Sequence, residues 1–226
     1  SMDDLFTVDL AARMQREGKL DLMAVMLNRP DGSNASDDPH GRGEFLKFAD
    51  RYLGSLGLGD LPVGTSTPLT EDRLPQHVFN PYWTFICSNN LTGVGLMLPT
   101  NRTDAQIASL TNAVSLYRRL LAGAPDRSLV ICSTGFLNNL KALMDSEAHY
   151  EGDDIASTGL ELIAAKVKEL RIMAGCFDPS TAPDGKGGAE YNAAGDPAGT
   201  KKVFEEWPTP VVVSTWEVGL KLYYKT

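Results

Sequence analysis

The sequence predicts an α/β fold, a single Rossmann-like domain in which helices flank a mostly parallel central sheet. Five short apolar runs rich in branched residues are typical of buried strands. Segments with apolar residues at helical spacing lie between most of these runs. Strands that alternate with helices favour parallel pairing, because each helix carries the chain back across the sheet. At 226 residues, 42% of them hydrophobic, the chain is long enough for one large domain, 1–226.

The elements are assigned in chain order. The predicted strands lie in LDLMAVMLN from Leu20, DLPVGTS from Asp60, SLVICST from Ser128, ELRIMAG from Glu169 and TPVVVST from Thr209. The predicted helices lie in LFTVDLAARMQREG from Leu5, GEFLKFADRYLGSLG from Gly43, TDAQIASLTNAVSLYRRLLAG from Thr103, FLNNLKALMDSEAH from Phe136 and ASTGLELIAAKVKEL from Ala156. A further capped helix is expected at GDPAGTKK, with Pro197 in its first turn. No apolar strand precedes the first helix, so we expect a leading strand upstream of Ser1.

The charge of the chain restricts its partners. A net charge of −8 argues against nucleic acid and against an anionic membrane, because both require a basic face. A small molecule is therefore the expected ligand. No run reaches the roughly 18 apolar residues of a transmembrane helix, so a soluble protein is expected, cytoplasmic or exported with its signal peptide removed. The N-x-S/T sequons at Asn34, Asn90 and Asn101 are too short a pattern to establish secretion.

The cysteines give no sign of a disulfide framework. Cys87, Cys132 and Cys176 are an odd number, lie far apart and lack the C-x-x-C spacing. Cys132 and Cys176 lie in or beside apolar strand-like runs. We therefore expect buried free thiols in place of a disulfide.

Candidate site residues follow the predicted strands, because ligands of parallel α/β sheets bind beyond the carboxyl ends of the strands. Thr134 follows SLVICS and is either a helix cap or a source of oxygen ligands. Glu190 and Asn192 are two residues apart, so in extended backbone both would face a pocket and suit polyol hydroxyls. Asp3 and Asp4, at the first helix start, fit either capping or a metal and sugar site.

Five short motifs occur in an order that resembles the inosine-uridine-preferring nucleoside hydrolase family. That family has an aspartate-rich start of the form D-x-D-x-G-x-x-x-D-D, a G-P-L-T-N turn, a Met-Gly-Gly strand end, then A-E-F-N and D-P-x-A. The matching segments here are MDD from Met2, TGFLNN from Thr134, MAG from Met173, AEYN from Ala189 and DPAG from Asp196. Each motif is weak singly, but the order agrees over nearly the whole chain. The resemblance implies a nucleoside hydrolase-like α/β domain.

The resemblance also implies roles for individual residues. Asp4 would be a calcium ligand, and Asp3 would hold ribose hydroxyls, the two together forming the catalytic pair. Thr134 would give its main-chain carbonyl to Ca²⁺. Glu190 and Asn192 would hold the outer ribose hydroxyls, Met173 would line the sugar pocket, and Asn28 would bind ribose, with Asn34 as the competing match.

The activity that the resemblance implies is calcium-dependent hydrolysis of a ribonucleoside. Calcium takes roughly six to eight oxygen ligands and lowers the pKa of a bound water. That water would attack C1′ of the ribose through an oxocarbenium-like transition state. The resemblance further implies a homodimer or homotetramer.

The departures from the family pattern leave alternatives open. Phe136 and Asn138 replace the proline and threonine of G-P-L-T-N, and Asp184 is the nearest match to an asparagine expected before A-E-F-N. The upstream aspartates and a late His-Asp or Trp-Asp element have no match, so we expect a sequence trimmed at both ends. A non-catalytic nucleoside or sugar binding protein is the second hypothesis. A flavodoxin-like cofactor carrier is the third.

Overall fold

The computed structural model describes residues 2–28, 41–65, 101–181 and 190–221, and the elements named here belong to those ranges. The strands are β1 (Val25–Met26), β2 (Val63–Gly64), β3 (Leu129–Ser133), β4 (Val167–Met173) and β5 (Val211–Ser214). The helices are α1 (Met2–Arg16), α2 (Gly41–Ser55), α3 (Asp104–Ala108), α4 (Ala113–Gly123), α5 (Asn138–Asp145), α6 (Gly159–Lys166), α7 (Tyr191–Gly195), α8 (Pro197–Glu206) and α9 (Trp216–Gly219).

The predicted α/β architecture is confirmed. Each of the five predicted strand segments overlaps a strand, and every described strand pair is parallel. The capped helix with proline in its first turn is also present, as α8. None of the helices in the described ranges is long and apolar enough to cross a membrane.

The described chain divides into two compact units. The first contains α1, β1, α2, β2 and α3, with β1 paired to β2. Its core is formed by apolar side chains of α1, α2, α3 and the strand segments. Its buried members are Ala12, Leu27, Leu46, Leu53, Leu58, Leu61, Val63 and Ile107. The expected single domain stays a prediction.

The second unit contains Asn28 and the described residues from Asn112 onward. Its sheet has the order β3-β4-β5, with Ile131 opposite Leu170 and Ile172 opposite Val213. Apolar side chains of α4, α5, α6 and α8 pack with Ile131, Leu170 and Ile172 in one core. Burying these apolar surfaces favours folding by about 25 cal/mol per Å², so the core fixes the strands whose carboxyl ends carry the candidate site.

Several predicted boundaries were wrong, and two of them changed where an element starts. The single helix expected from Thr103 is two helices, because the Asn112 side chain accepts a hydrogen bond from the Ser115 N–H (2.8 Å) and starts α4 anew. The strand expected from Glu169 begins at Val167, where α6 ends.

The expectation of buried cysteines was wrong for two of the three. Cys132 and Cys176 are free, as predicted, but Cys132 is exposed and Cys176 is partly exposed. Side chains alternate between the faces of a strand, and in β3 the buried face is taken by Ile131. Cys87 lies outside the described residues, as do Asn34 and Asn90.

Candidate functional site

The Asn192 side chain joins the carboxyl ends of β3 and β4. Its Nδ2 donates to the carbonyl oxygen of Thr134 and to that of Met173, both at 3.0 Å, and lies 3.2 Å from the Met173 sulfur. Thr134 follows β3 directly, and Met173 is the last residue of β4. The structure therefore brings together three of the predicted site residues, at the sheet edge where ligands of parallel sheets bind.

Glu190 is buried and accepts three backbone hydrogen bonds. Its Oε2 accepts from the N–H groups of Gly175 and Ala193, both at 3.0 Å, and its Oε1 accepts from the N–H of Asn192 at 2.9 Å. The carboxylate thereby caps α7 and ties that helix to the segment after β4. Because each carboxylate oxygen accepts about two hydrogen bonds, Oε1 keeps capacity for one more among the described residues.

The expectation that Glu190 and Asn192 lie together in extended backbone was wrong. Glu190 is extended, with φ −63° and ψ 145°, but it is the N-cap of α7, and Asn192 is inside that helix. Asp, Asn, Ser and Thr are the usual N-caps, so a glutamate in this position was not expected from the sequence pattern. The Glu190 and Asn192 side chains still both contact residues at the carboxyl ends of the strands. They do so because Glu190 caps a helix, and not because side chains alternate along a strand.

Asn28 contacts the turn after β3. Its Nδ2 donates to the carbonyl oxygen of Phe136 and to Oδ1 of Asn138, the latter at 2.7 Å. Its Oδ1 is buried and has no hydrogen-bond partner among the described residues. Gly135 permits this approach, since a Cβ there would lie 3.2 Å from Cβ of Asn28. Thr134 and Asn138 are four residues apart, so Asn192 and Asn28 contact the two ends of one short turn.

Phe136, where the family pattern has proline, fills the base of this turn. It is buried and packs against the Tyr191 ring, with ring centroids 5.2 Å apart. Gly195 lies against the Phe136 ring, and a Cβ at Gly195 would come within 2.2 Å of a carbon of that ring. Partial burial raises the pKa of Tyr191 to about 12, so its phenol is neutral at physiological pH. The aromatic contact supports α7 and hence Glu190 and Asn192.

Asp3 and Asp4 lie in the first turn of α1, in the first unit. This position suits carboxylates, because the amino end of a helix carries partial positive charge. The predicted metal and sugar roles of the pair stay predictions. In the described ranges, no group of three or more His, Cys, Asp or Glu side chains could hold a metal ion.

Sequence reasoning missed the residues that hold the loop after β4. Trp216 donates from its main-chain N–H to the Gly175 carbonyl (2.9 Å) and from Nε1 to the Thr181 carbonyl (2.5 Å). Oε1 of Glu217 accepts from the Asp178 N–H at 2.7 Å. The one available signal was position, because both residues directly follow the predicted strand TPVVVST.

Comparison with solved structures identifies the architecture. A plant nucleoside hydrolase matches with a TM-score of 0.66 at 18% identity, over 100% of this chain and 60% of its own. The inosine-uridine preferring nucleoside hydrolase from Bacillus anthracis matches with a TM-score of 0.66 at 17% identity, over 99% of this chain and 64% of its own. This chain has the nucleoside hydrolase fold. At such identities the likeness establishes the nucleoside hydrolase fold and leaves activity open.

A third structure with the same fold is the type III effector protein XopQ, complexed with adenosine diphosphate ribose. It matches with a TM-score of 0.59 at 20% identity, over 94% of this chain and 52% of its own. The chain thus spans less than two thirds of the length of each of these structures. No family model matches the sequence, and no curated protein matches it.

Proposed function

We propose that this protein binds a ribonucleoside beyond the carboxyl ends of β3 and β4 and hydrolyses its N-glycosidic bond to ribose and free base. The observation that carries the proposal is a pair of buried acceptors with unused capacity. These are Oδ1 of Asn28 and Oε1 of Glu190. Among the described residues, the first lacks a hydrogen-bond partner and the second accepts one hydrogen bond. Burying an acceptor without a donor is costly, and sugar hydroxyls supply donors.

The solved structures of the same fold agree with a ribosyl ligand. Two are nucleoside hydrolases, and the third holds adenosine diphosphate ribose. Nucleosides and adenosine diphosphate ribose have in common a pentose sugar joined to another group. Residues matching the family's ribose-contacting motif positions, Asn28, Glu190 and Asn192, lie in one unit of this chain.

In the proposed reaction the bond between C1′ and the base nitrogen breaks while a water oxygen bonds to C1′. Positive charge develops on the sugar ring in the transition state, and one water proton goes to the departing base. Glu190 and Asn28 would orient the ribose through its hydroxyls, with Met173 lining the sugar. Asn192 would hold the two strand ends at fixed separation. Such orientation lowers the barrier because the reacting atoms are already aligned.

Calcium is part of the proposal. The predicted ligands, the Asp4 carboxylate and the Thr134 carbonyl, are hard oxygens and fit calcium in kind. In number they fall short of the roughly six to eight oxygens that calcium takes, and the Thr134 carbonyl already accepts from Asn192. A bound calcium ion would supply Lewis acidity that lowers the pKa of a water. Asp3 is the residue proposed to hold ribose hydroxyls.

The test is release of free base from a panel of ribonucleosides by the full chain, followed by chromatography with calcium and with a chelator. We expect release that the chelator and Asp4→Ala both abolish. Asn28→Ala should lower kcat/KM roughly 5- to 10-fold, since it removes one acceptor for a sugar hydroxyl. Asn112→Ser is the matched control, because serine caps α4 as well as asparagine does.

The outcomes separate the parts of the proposal. Absence of base release from every nucleoside would contradict hydrolysis. Release that is indifferent to the chelator and to Asp4→Ala would remove calcium and leave the ribose contacts standing. Equal activity of Asn28→Ala and Asn112→Ser would exclude Asn28 from the site.

A second candidate is a ribosyl-binding protein without hydrolysis. It is favoured by the effector structure that holds adenosine diphosphate ribose. Calorimetric titration separates the two, because a binding protein would take up the nucleoside and leave it intact over hours. Homo-oligomer formation, as a homodimer or homotetramer, is a proposal that sedimentation would test.

A further inference from the structure

The segment 175–181, which follows β4, is held by the two residues that begin α9 after β5. Trp216 donates its main-chain N–H to the first carbonyl of the segment, that of Gly175, at 2.9 Å. Its indole N–H donates to the last carbonyl, that of Thr181, at 2.5 Å. Glu217 binds the Asp178 N–H between them at 2.7 Å. Three hydrogen bonds with two adjacent residues, Trp216 and Glu217, therefore hold this seven-residue segment at its start, middle and end.

The middle contact is strengthened by charge. The Thr215 hydroxyl, with the backbone N–H groups of Asp178 and Glu217, holds the pKa of Glu217 at about 2. Glu217 is therefore ionised at neutral pH, and hydrogen bonds to a charged acceptor are roughly twice as strong as neutral ones. The Cys176 thiol also lies 3.4 Å from Oε1 of Glu217, so two residues of the segment, Cys176 and Asp178, contact this carboxylate.

The held segment leads directly to Glu190. Gly175, whose carbonyl Trp216 binds, donates its own N–H to Oε2 of Glu190 at 3.0 Å. Gly175 has φ +84°, a left-handed conformation that glycine adopts without strain. The N–H and the C=O of Gly175 belong to the two peptide groups that meet at its Cα, so holding the carbonyl through Trp216 restricts the rotation that would turn the N–H away from Glu190.

We propose that Trp216 and Glu217 are positioning residues for Glu190, acting through Gly175. They hold the segment that contains Gly175, and the Gly175 N–H donates to Oε2 of Glu190. This contact orients the Glu190 carboxylate so that its Oε1 can accept a hydrogen bond from the ligand. This inference rests on the proposed function for its ligand, a ribose hydroxyl. The positioning itself rests on the hydrogen bonds alone.

The kinetic test is a double-mutant cycle on base release. Glu217→Ala should lower kcat/KM roughly 10-fold, the usual scale for losing a hydrogen bond to a charged group. Glu217→Gln should recover most of this, because its amide oxygen still accepts from the Asp178 N–H. In a Glu190→Gln background Glu217→Ala should cost less than about 2-fold, because residues that act through one another are not additive. Glu206→Ala, on the exposed end of α8, is the matched control and should change nothing.

A second measurement separates this claim from the proposed function. Amide hydrogen exchange of the full chain should show faster exchange at Gly175 in Glu217→Ala and in Trp216→Phe than in the wild type or Glu206→Ala. Additive losses in the cycle, or unchanged exchange at Gly175, would overturn the positioning role. If the wild type hydrolyses no nucleoside, the proposed function is contradicted. The hydrogen-exchange rate at Gly175 would still test the positioning role of Trp216 and Glu217. Thermal unfolding of each variant identifies any that fails to fold. If Glu217→Ala fails to fold, Trp216→Phe takes its place in the double-mutant cycle.

Discussion

Replacing Asn192 by leucine tests the link between the ends of β3 and β4. The Asn192 side chain is about nine-tenths buried, and its Nδ2 donates to two carbonyl oxygens at 3.0 Å. Leucine has a similar shape but no donor, so the Thr134 and Met173 carbonyls would each lose a partner. At about 1 kcal/mol for each net hydrogen bond, the free energy of unfolding should fall by about 2 kcal/mol. Urea unfolding followed by tryptophan fluorescence and circular dichroism measures it.

Met173→Leu is the control for this prediction. It removes the sulfur that lies 3.2 Å from Nδ2 of Asn192 and leaves both carbonyl contacts in place. A methionine-to-leucine exchange usually costs less than about 1.5 kcal/mol, so this variant should stay close to the wild type. A loss below about 0.5 kcal/mol for Asn192→Leu, with an unchanged denaturant slope, would refute the reasoning, because the two carbonyls would then not depend on Asn192.

Three further predictions concern packing, acid stability and a buried ion pair. Gly195→Ala should destabilise the protein by about 1–3 kcal/mol through collision with the Phe136 ring, and Phe136→Leu in the same chain should recover part of the loss in thermal unfolding. The folded-state pKa of Glu217 is depressed to about 2, so its stabilising contribution is complete above its ordinary value of 4.5 and is lost as pH falls toward 2. Acid titration of Glu217→Gln should therefore show a shallower loss of stability over that range, and parallel curves would contradict it. Arg102→Leu should cost about 3 kcal/mol in urea unfolding, because it leaves Asp50, which is 2% exposed, as a buried charge without its ion-pair partner, and a loss below about 1 kcal/mol would contradict this.

Much of the fold could be predicted because strands and helices have different apolar periods. The runs SLVICST and TPVVVST are short and branched, and each contains a strand of the β3-β4-β5 sheet. The same alternation placed Thr134 at the end of a strand, and the family resemblance placed Met173 at a strand end, where the structure has both. Helix boundaries depended on single capping side chains, and the Asn112 cap that splits one predicted helix into two lies inside a continuous apolar pattern.

The candidate site could be predicted only in part, because its contacts join residues far apart in sequence. Glu190 and Asn192 were identified, but the extended geometry assigned to them was wrong, since Glu190 caps a helix. The contact of Asn28 with Asn138 spans 110 positions and leaves no local pattern. The hydrogen bond from Trp216 to Gly175 likewise depends on β4 and β5 being neighbours in the sheet. The apolar period of the sequence does not specify which strands are neighbours.

The most direct test of the central claim is the stoichiometry of products from a ribonucleoside incubated with the full chain and calcium in phosphate-free buffer. The proposed function predicts free base and free ribose in equal amounts, at a rate that Asn28→Ala lowers and Asn112→Ser does not. A nucleoside recovered intact, or base released equally by all three proteins, would contradict hydrolysis at the ends of β3 and β4.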